Sequence, residues 1–122
     1  MNKKAHQIAG VAASELSLAM HHDFLILHWK YIPVACFGAY IIGKIISIIP
    51  DLIEPAKWNH RKFFHSWFVL ICCISLLVAS YMKTPTFHGY YMIADITLTA
   101  MAAGYASHLL LDAVTPAGLP II

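Results

Sequence analysis

Ser66-Trp67-Phe68-Val69-Leu70-Ile71-Cys72-Cys73-Ile74-Ser75-Leu76-Leu77-Val78-Ala79-Ser80-Tyr81-Met82 runs for 17 residues without a charged side chain. A run of that length and apolarity predicts a helix in hydrocarbon, the clearest spanning segment of the chain. Lys83-Thr84-Pro85-Thr86 reads as the turn after it. On its N-terminal side, Pro33 to Ile49 forms a second apolar run, which Pro50 is expected to end because proline disfavours helix at the residue before it. On its C-terminal side, Tyr90 to Leu111 forms a third, with Asp95 near its start and Gly104 where a neighbouring helix can approach closely. Ala5 to Met20 is a shorter, alanine-rich helical candidate with Glu15 opposite His6; it either crosses at a tilt or lies partly in the interface. Between these elements, Phe24 to Lys30 is mixed, and Trp29 and Tyr31 are an aromatic pair suited to headgroup level. The expected architecture is all-α, a polytopic membrane bundle of about four helices forming a single domain over residues 1–122.

Composition supports that class. The chain is 60% hydrophobic and only 11% charged, far from the balance of an ordinary soluble domain. Its formal charge of +2 leaves no basic patch for nucleic acid. Cys36, Cys72 and Cys73 are odd in number, lack Cys-x-x-Cys spacing and sit in apolar runs, so they read as small buried hydrophobes. The basic start Met1-Asn2-Lys3-Lys4 is like that of a signal peptide. His6, Gln7 and Glu15 interrupt the stretch after it, however, and the segment is expected to remain in the mature protein.

Histidine is the conspicuous excess, eight against six carboxylates, and topology gathers several of them. If Lys3 and Lys4 are cytoplasmic, the loop carrying Lys57, Arg61 and Lys62 falls on the same side, as the positive-inside bias prefers. Four crossings then bring His6, Asp51, Glu54, His60, His65, His108 and Asp112 to one membrane face, and place His21, His22, His28 and His88 toward the other. Ionisable groups beside a membrane are costly unless compensated, and a bound metal ion is the simplest compensation.

His108 and Asp112 are four apart on a predicted helix, on one face and about 6 Å apart along the axis. Gly104 and Ala100 continue that stripe. Asp51 and His65 flank the ends of successive apolar helices, so both belong at the boundary. Two carboxylates and two imidazoles make a four-ligand set for zinc or a similar ion. Each residue has a plainer reading: an intrahelical hydrogen bond for the His108–Asp112 pair, a helix N-cap for Asp51, a backbone-bonded histidine for His65 or His60. His6 adds a fifth nitrogen for a second ion, or is a solvated residue before a helix. Arg61 and Lys62 serve as topology signals or headgroup contacts, although a guanidinium beside a metal also suits phosphate. Lys44 is expected to snorkel to the interface.

As a set, His6, Ile49-Pro50-Asp51, His60-Arg61-Lys62-Phe63-Phe64-His65-Ser66 and Gly104-Tyr105-Ala106-Ser107-His108-Leu109-Leu110-Leu111-Asp112 followed by Thr115-Pro116-Ala117-Gly118 resemble a known family. It is that of small bacterial membrane-bound metal-dependent hydrolases, including the LexA-regulated inner-membrane type. The family is in turn distantly similar to zinc-dependent phospholipase C. The resemblance implies a bacterial inner-membrane protein with its site facing the cytoplasm and one or two divalent ions, zinc above others. Asp51, His65, His108 and Asp112 match one metal site, and His6 matches a ligand of a neighbouring ion. Two departures stand out. Ile53 occupies the place of a second family aspartate, with Glu54 one residue later, and the sequence ends soon after Gly118 where relatives commonly continue.

The expected activity is metal-assisted hydrolysis of a phosphoester or lipid-linked ester, in which the ion supplies Lewis acidity and an acidified water. Glu54 or His60 takes the proton from water and Arg61 neutralises developing negative charge. Membrane lipid, a small or lipid ester substrate and a second copy of the chain are the partners expected. Two rivals come from other classes. One is a nonenzymatic membrane protein whose metal site ties helix ends together, as part of a larger assembly or alone. The other is a metal transporter, for which only Glu15, Lys44 and Asp95 offer intramembrane ionisable groups.

Overall fold

A computed structural model describes residues 3–53, 63–83, 89–115 and 118–121. Among them the chain is all helical: α1 Lys3–Ser17, α2 His22–Leu27, α3 Ile32–Ile46, α4 Ile49–Ile53, α5 Trp67–Lys83 and α6 Tyr90–Ala113, with short 3-10 turns at Leu18–His21 and Trp29–Tyr31. Four of these, α1, α3, α5 and α6, are long enough to build the bundle.

The fold is centred on α6, which packs against α1, α3 and α5. Three glycines let α1, α3 and α6 approach. A Cβ on Gly43 would lie 2.5 Å from the Gly10 carbonyl oxygen, and one on Gly104 would lie 3.0 Å from Ser14 Oγ and 3.4 Å from Gly43 Cα. Ser14 uses this closeness to donate a 2.7 Å hydrogen bond to the Ala100 carbonyl. Small residues that admit a neighbouring backbone are how helices associate where lipid removes the hydrophobic drive between them.

The interior mixes polar and apolar side chains: Ser14, Ser47, Ser66, Thr99, His65 and His108 are fully buried beside Leu70 and Leu109, whereas Phe37, Phe68, Ile71, Ile93 and Val34 are exposed. So many large apolar side chains on the outside suit a hydrocarbon surround. Trp29–Ile53 is the one stretch among the described residues that is both long and apolar enough to cross a membrane; Trp67–Lys83 is apolar but shorter. The 24-residue α6 has the length, but Asp95, Thr97, Thr99, Ser107, His108 and Asp112 make it less apolar.

One boundary shifts and one expectation changes. The helix expected to end ahead of Pro50 does so three residues early, at Ile46, whose carbonyl would otherwise take the N–H that proline lacks, and Pro50 itself lies in the first turn of α4, where a missing N–H costs nothing. The cysteines are not buried hydrophobes: Cys72 is exposed and Cys36 and Cys73 are half-buried, all three as free thiols. A helix facing lipid carries apolar residues on its outer face too, so apolar sequence there does not imply burial.

Candidate metal centre

The site is assembled where α6 ends, where α3 gives way to α4, and where α5 begins. The break at Ser47 and Ile48 turns the chain so that the first turn of α4 carries Asp51, and the 63–66 turn before α5 carries His65. One turn of α6 separates His108 from Asp112, and both point inward. Asp51, His65, His108 and Asp112 each offer a donor atom, and the four atoms lie within 4.8 Å of one another.

The separations are those of a converging set. His108 Nε2 lies 3.3 Å from His65 Nε2, 3.3 Å from Asp112 Oδ2 and 3.7 Å from Asp51 Oδ1. His65 Nε2 is 3.4 Å from Asp51 Oδ1 and 3.7 Å from Asp112 Oδ2. The side chains of His108, His65 and Asp112 are buried to roughly nine-tenths or more, and that of Asp51 is 40% exposed. Three of the four donors are therefore buried, and the fourth, Asp51, is partly exposed.

The tautomer of His108 is set by its other nitrogen. Nδ1 sits 2.5 Å from the Ser47 carbonyl oxygen, and a carbonyl only accepts, so Nδ1 carries the proton and donates it. That carbonyl is available because it lies just past the end of α3, where the intrahelical ladder has run out. Nε2 then presents its lone pair to the cluster. A histidine whose outer N–H is held by a backbone carbonyl is oriented as metal-ligating histidines are. Two imidazole nitrogens 3.3 Å apart beside two carboxylates fit a shared divalent cation of the borderline kind that takes nitrogen and oxygen together.

The glycine crossing sets this geometry. Gly10, Gly43 and Gly104 each lie four residues, about one turn, from His6, Ser47 and His108 respectively. His6 is only 2% exposed and stacks on His108 with ring centroids 4.0 Å apart and planes at 27°. Its Nε2 is 3.5 Å from Asp112 Oδ1, and its buried Nδ1 has no hydrogen-bond partner among the described residues. His6 is thus neither solvated nor remote, and stands beside the four-donor group.

Glu54, His60 and Arg61 lie outside the described residues, as do Lys57 and Lys62. Asp51 lies in the body of the first turn of α4, one residue after Pro50, so an N-cap is not its place. Lys44 is exposed with Nζ 5.7 Å from the Tyr40 ring centroid, consistent with a side chain reaching along the surface.

Two structural supports carried no assigned role in the sequence. Tyr105 Oη donates to the Phe64 carbonyl at 3.1 Å, fixing the turn that carries His65; its position two turns before Asp112 was the available signal. At the other end of α6, His21 Nε2 meets Asp95 Oδ2 at 2.9 Å and Ser80 Oγ donates to the same oxygen at 2.5 Å. Asp95 was visible as a carboxylate in an apolar run, but its partners lie 74 and 15 residues away in the chain.

Residues 1–122 match the family model described as YdjM inner membrane protein. The sequence is 32% identical over 110 residues to the inner membrane protein YdjM of Escherichia coli (strain K12), and equally so to that of Shigella flexneri. Each match covers 77% of this chain and 49% of the relative, so the chain spans about half the length of these curated relatives. No solved structure matches.

Proposed function

The chain belongs to the YdjM inner membrane protein family, and from that premise we propose that it is an inner-membrane, metal-dependent hydrolase acting on a phosphoester or lipid-linked ester. The observation that carries this reading is the placing of Asp51, His65, His108 and Asp112 with their donor atoms within 4.8 Å of one another. These four would hold a divalent ion, zinc above others, and His6 would serve a neighbouring one. Such an ion supplies Lewis acidity and lowers the pKa of water it binds.

The chain's own groups have distinct parts in the proposal. His65, His108 and Asp112 form the buried wall, while half-open Asp51 marks the side from which a substrate enters. Glu54 and His60 fall between Asp51 and His65 in sequence and are the candidate bases for the water proton. Arg61 is suited to a phosphoryl oxygen, since a guanidinium can grip it with two hydrogen bonds. With Lys3 and Lys4 cytoplasmic and the bundle multi-pass, the site faces the cytoplasm at headgroup depth. A membrane phosphoester is then the natural substrate class.

An ion that only ties helix ends together is the competing reading; it predicts a closed coordination shell, whereas catalysis needs an open position. The test is metal analysis of the purified chain with His108→Ala and Asp51→Ala, followed by hydrolysis assays on phospholipid and on bis(p-nitrophenyl) phosphate. One or two zinc ions per chain, lost in both variants together with activity, is the expected result. Full metal retention in both variants overturns the site. Bound metal without hydrolysis of either substrate overturns the enzyme and leaves the structural ion.

A further inference from the structure

A cavity of about 640 Å³ opens between α3 and α6, near the end of α6 opposite the metal centre. It runs from Gly89 to Ala100 along α6, about 16 Å at 1.5 Å per residue. Half the hydrocarbon thickness of a bilayer is about 15 Å, so the groove has the depth of one leaflet. Its walls are apolar, with Ala35 and Ile42 facing Ile93 and Ala100. Its mouth is not: His28 and Lys30 line it there, and Lys30 is the one charged side chain in the lining among the described residues. Lys30 is exposed and leans over Tyr31, 5.3 Å from the ring centroid. Exposed Trp29, Tyr31, Tyr90 and Tyr91 surround that end, the composition of an aromatic belt at headgroup level.

We propose that this groove binds one acyl chain of an anionic phospholipid from the leaflet opposite the metal centre, with the lipid phosphate at Lys30 and His28. Length selects an acyl chain over a compact ligand. A cationic mouth, with no carboxylate in the lining among the described residues, selects an anionic headgroup. The volume is that of an ordinary small-ligand pocket. Gly38 keeps the floor low: a Cβ there meets nothing within 4 Å, so a larger side chain at this position enters the groove without disturbing the fold. The inference rests on the membrane reading of the chain and is independent of metal and hydrolysis.

Native mass spectrometry of the full chain in detergent, titrated separately with phosphatidylglycerol and phosphatidylcholine, tests it. One phosphatidylglycerol is expected to bind in preference to phosphatidylcholine. Gly38→Leu is expected to abolish retention of both, and Val34→Trp, from an exposed lining position, is the second blocking variant should the first not fold. Lys30→Gln is expected to lower the preference for phosphatidylglycerol about fivefold, the share of one lysine near an anionic headgroup. Equal retention of the two lipids by the wild type overturns the proposal, as does wild-type retention in a folded blocking variant. A dimer that Gly38→Leu converts to monomer with lipid retention unchanged would assign the groove to a second copy of the chain instead.

Discussion

Gly43→Ala is the most exacting test of how the bundle builds its site. The added Cβ would lie 2.5 Å from the Gly10 carbonyl oxygen and 2.8 Å from both Gly10 C and Ser14 Oγ, whereas ordinary contact begins at 3.4 Å. Two of these three atoms are backbone, so no rotamer change relieves the clash, and α1 and α3 must separate by roughly 1 Å. Overpacking of that kind costs about 1–3 kcal/mol, and the better helix propensity of alanine returns about 1 kcal/mol. The net loss is therefore modest, up to about 2 kcal/mol. The effect on the site is larger than the effect on the fold, because Ser47 lies one turn further along and its carbonyl orients His108 at 2.5 Å. Loss of such an outer hydrogen bond typically lowers metal affinity about 10–100-fold. Thermal melting in detergent reads the first quantity and competition for zinc with a chromogenic chelator reads the second. Gly38→Ala, on the same helix with open space around its Cβ, is the control and is expected to match or exceed wild-type stability with zinc affinity unchanged. A Gly43→Ala protein with wild-type melting and wild-type zinc affinity would refute the argument that the glycine crossing positions His108.

Two further substitutions separate the two ends of the bundle. Asp95→Ala strips the acceptor from His21 and Ser80, and is expected to cost about 1–3 kcal/mol by leaving buried polar groups unpaired; zinc affinity should not move, because Asp95 is about 20 Å from His108 along α6. Tyr105→Phe removes the hydrogen bond to the Phe64 carbonyl and is expected to cost no more than about 1 kcal/mol while lowering zinc affinity several-fold. Chelator competition with each purified variant checks both, and a zinc defect in Asp95→Ala or none in Tyr105→Phe would contradict the assignment.

Helices were legible where one property persisted along the chain. Ser66 to Met82 and Tyr90 to Leu111 differ from the observed α5 and α6 by only one or two residues at their ends, because uninterrupted apolar runs announce themselves. The break at Ser47–Ile48 was legible only in part: Pro50 announces an end to the helix, but Ile45-Ile46-Ser47-Ile48-Ile49 is apolar throughout apart from one serine and does not mark the residue at which it falls. The site was legible for a different reason. A carboxylate or imidazole in apolar surroundings is costly, so its presence at helix ends on one predicted face marks residues that tertiary structure must bring together. What the spacing lacked was the backbone. The Ser47 carbonyl that sets the His108 tautomer has no side-chain signature, and the His21–Ser80–Asp95 contacts join three segments whose sequence separations carry no pattern.

The donor set itself favours a divalent ion over protons as the compensating charge. Asp51 and Asp112 bring two negative charges within 4.8 Å; at an effective dielectric near 20 their repulsion is about 3 kcal/mol, and burial adds a desolvation cost to Asp112. Protonating His65 would supply one positive charge. A second proton placed on His108 would enter the 3.3 Å contact between the two Nε2 atoms, setting two imidazolium groups against each other, and one placed on His6 would sit 3.5 Å from Asp112. His108 already spends its Nδ1 proton on the Ser47 carbonyl, leaving Nε2 as a lone pair aimed inward. One ion of charge +2 would balance both carboxylates and accept both nitrogen lone pairs at once. The buried wall and oriented imidazole thus suit the divalent-cation site proposed above.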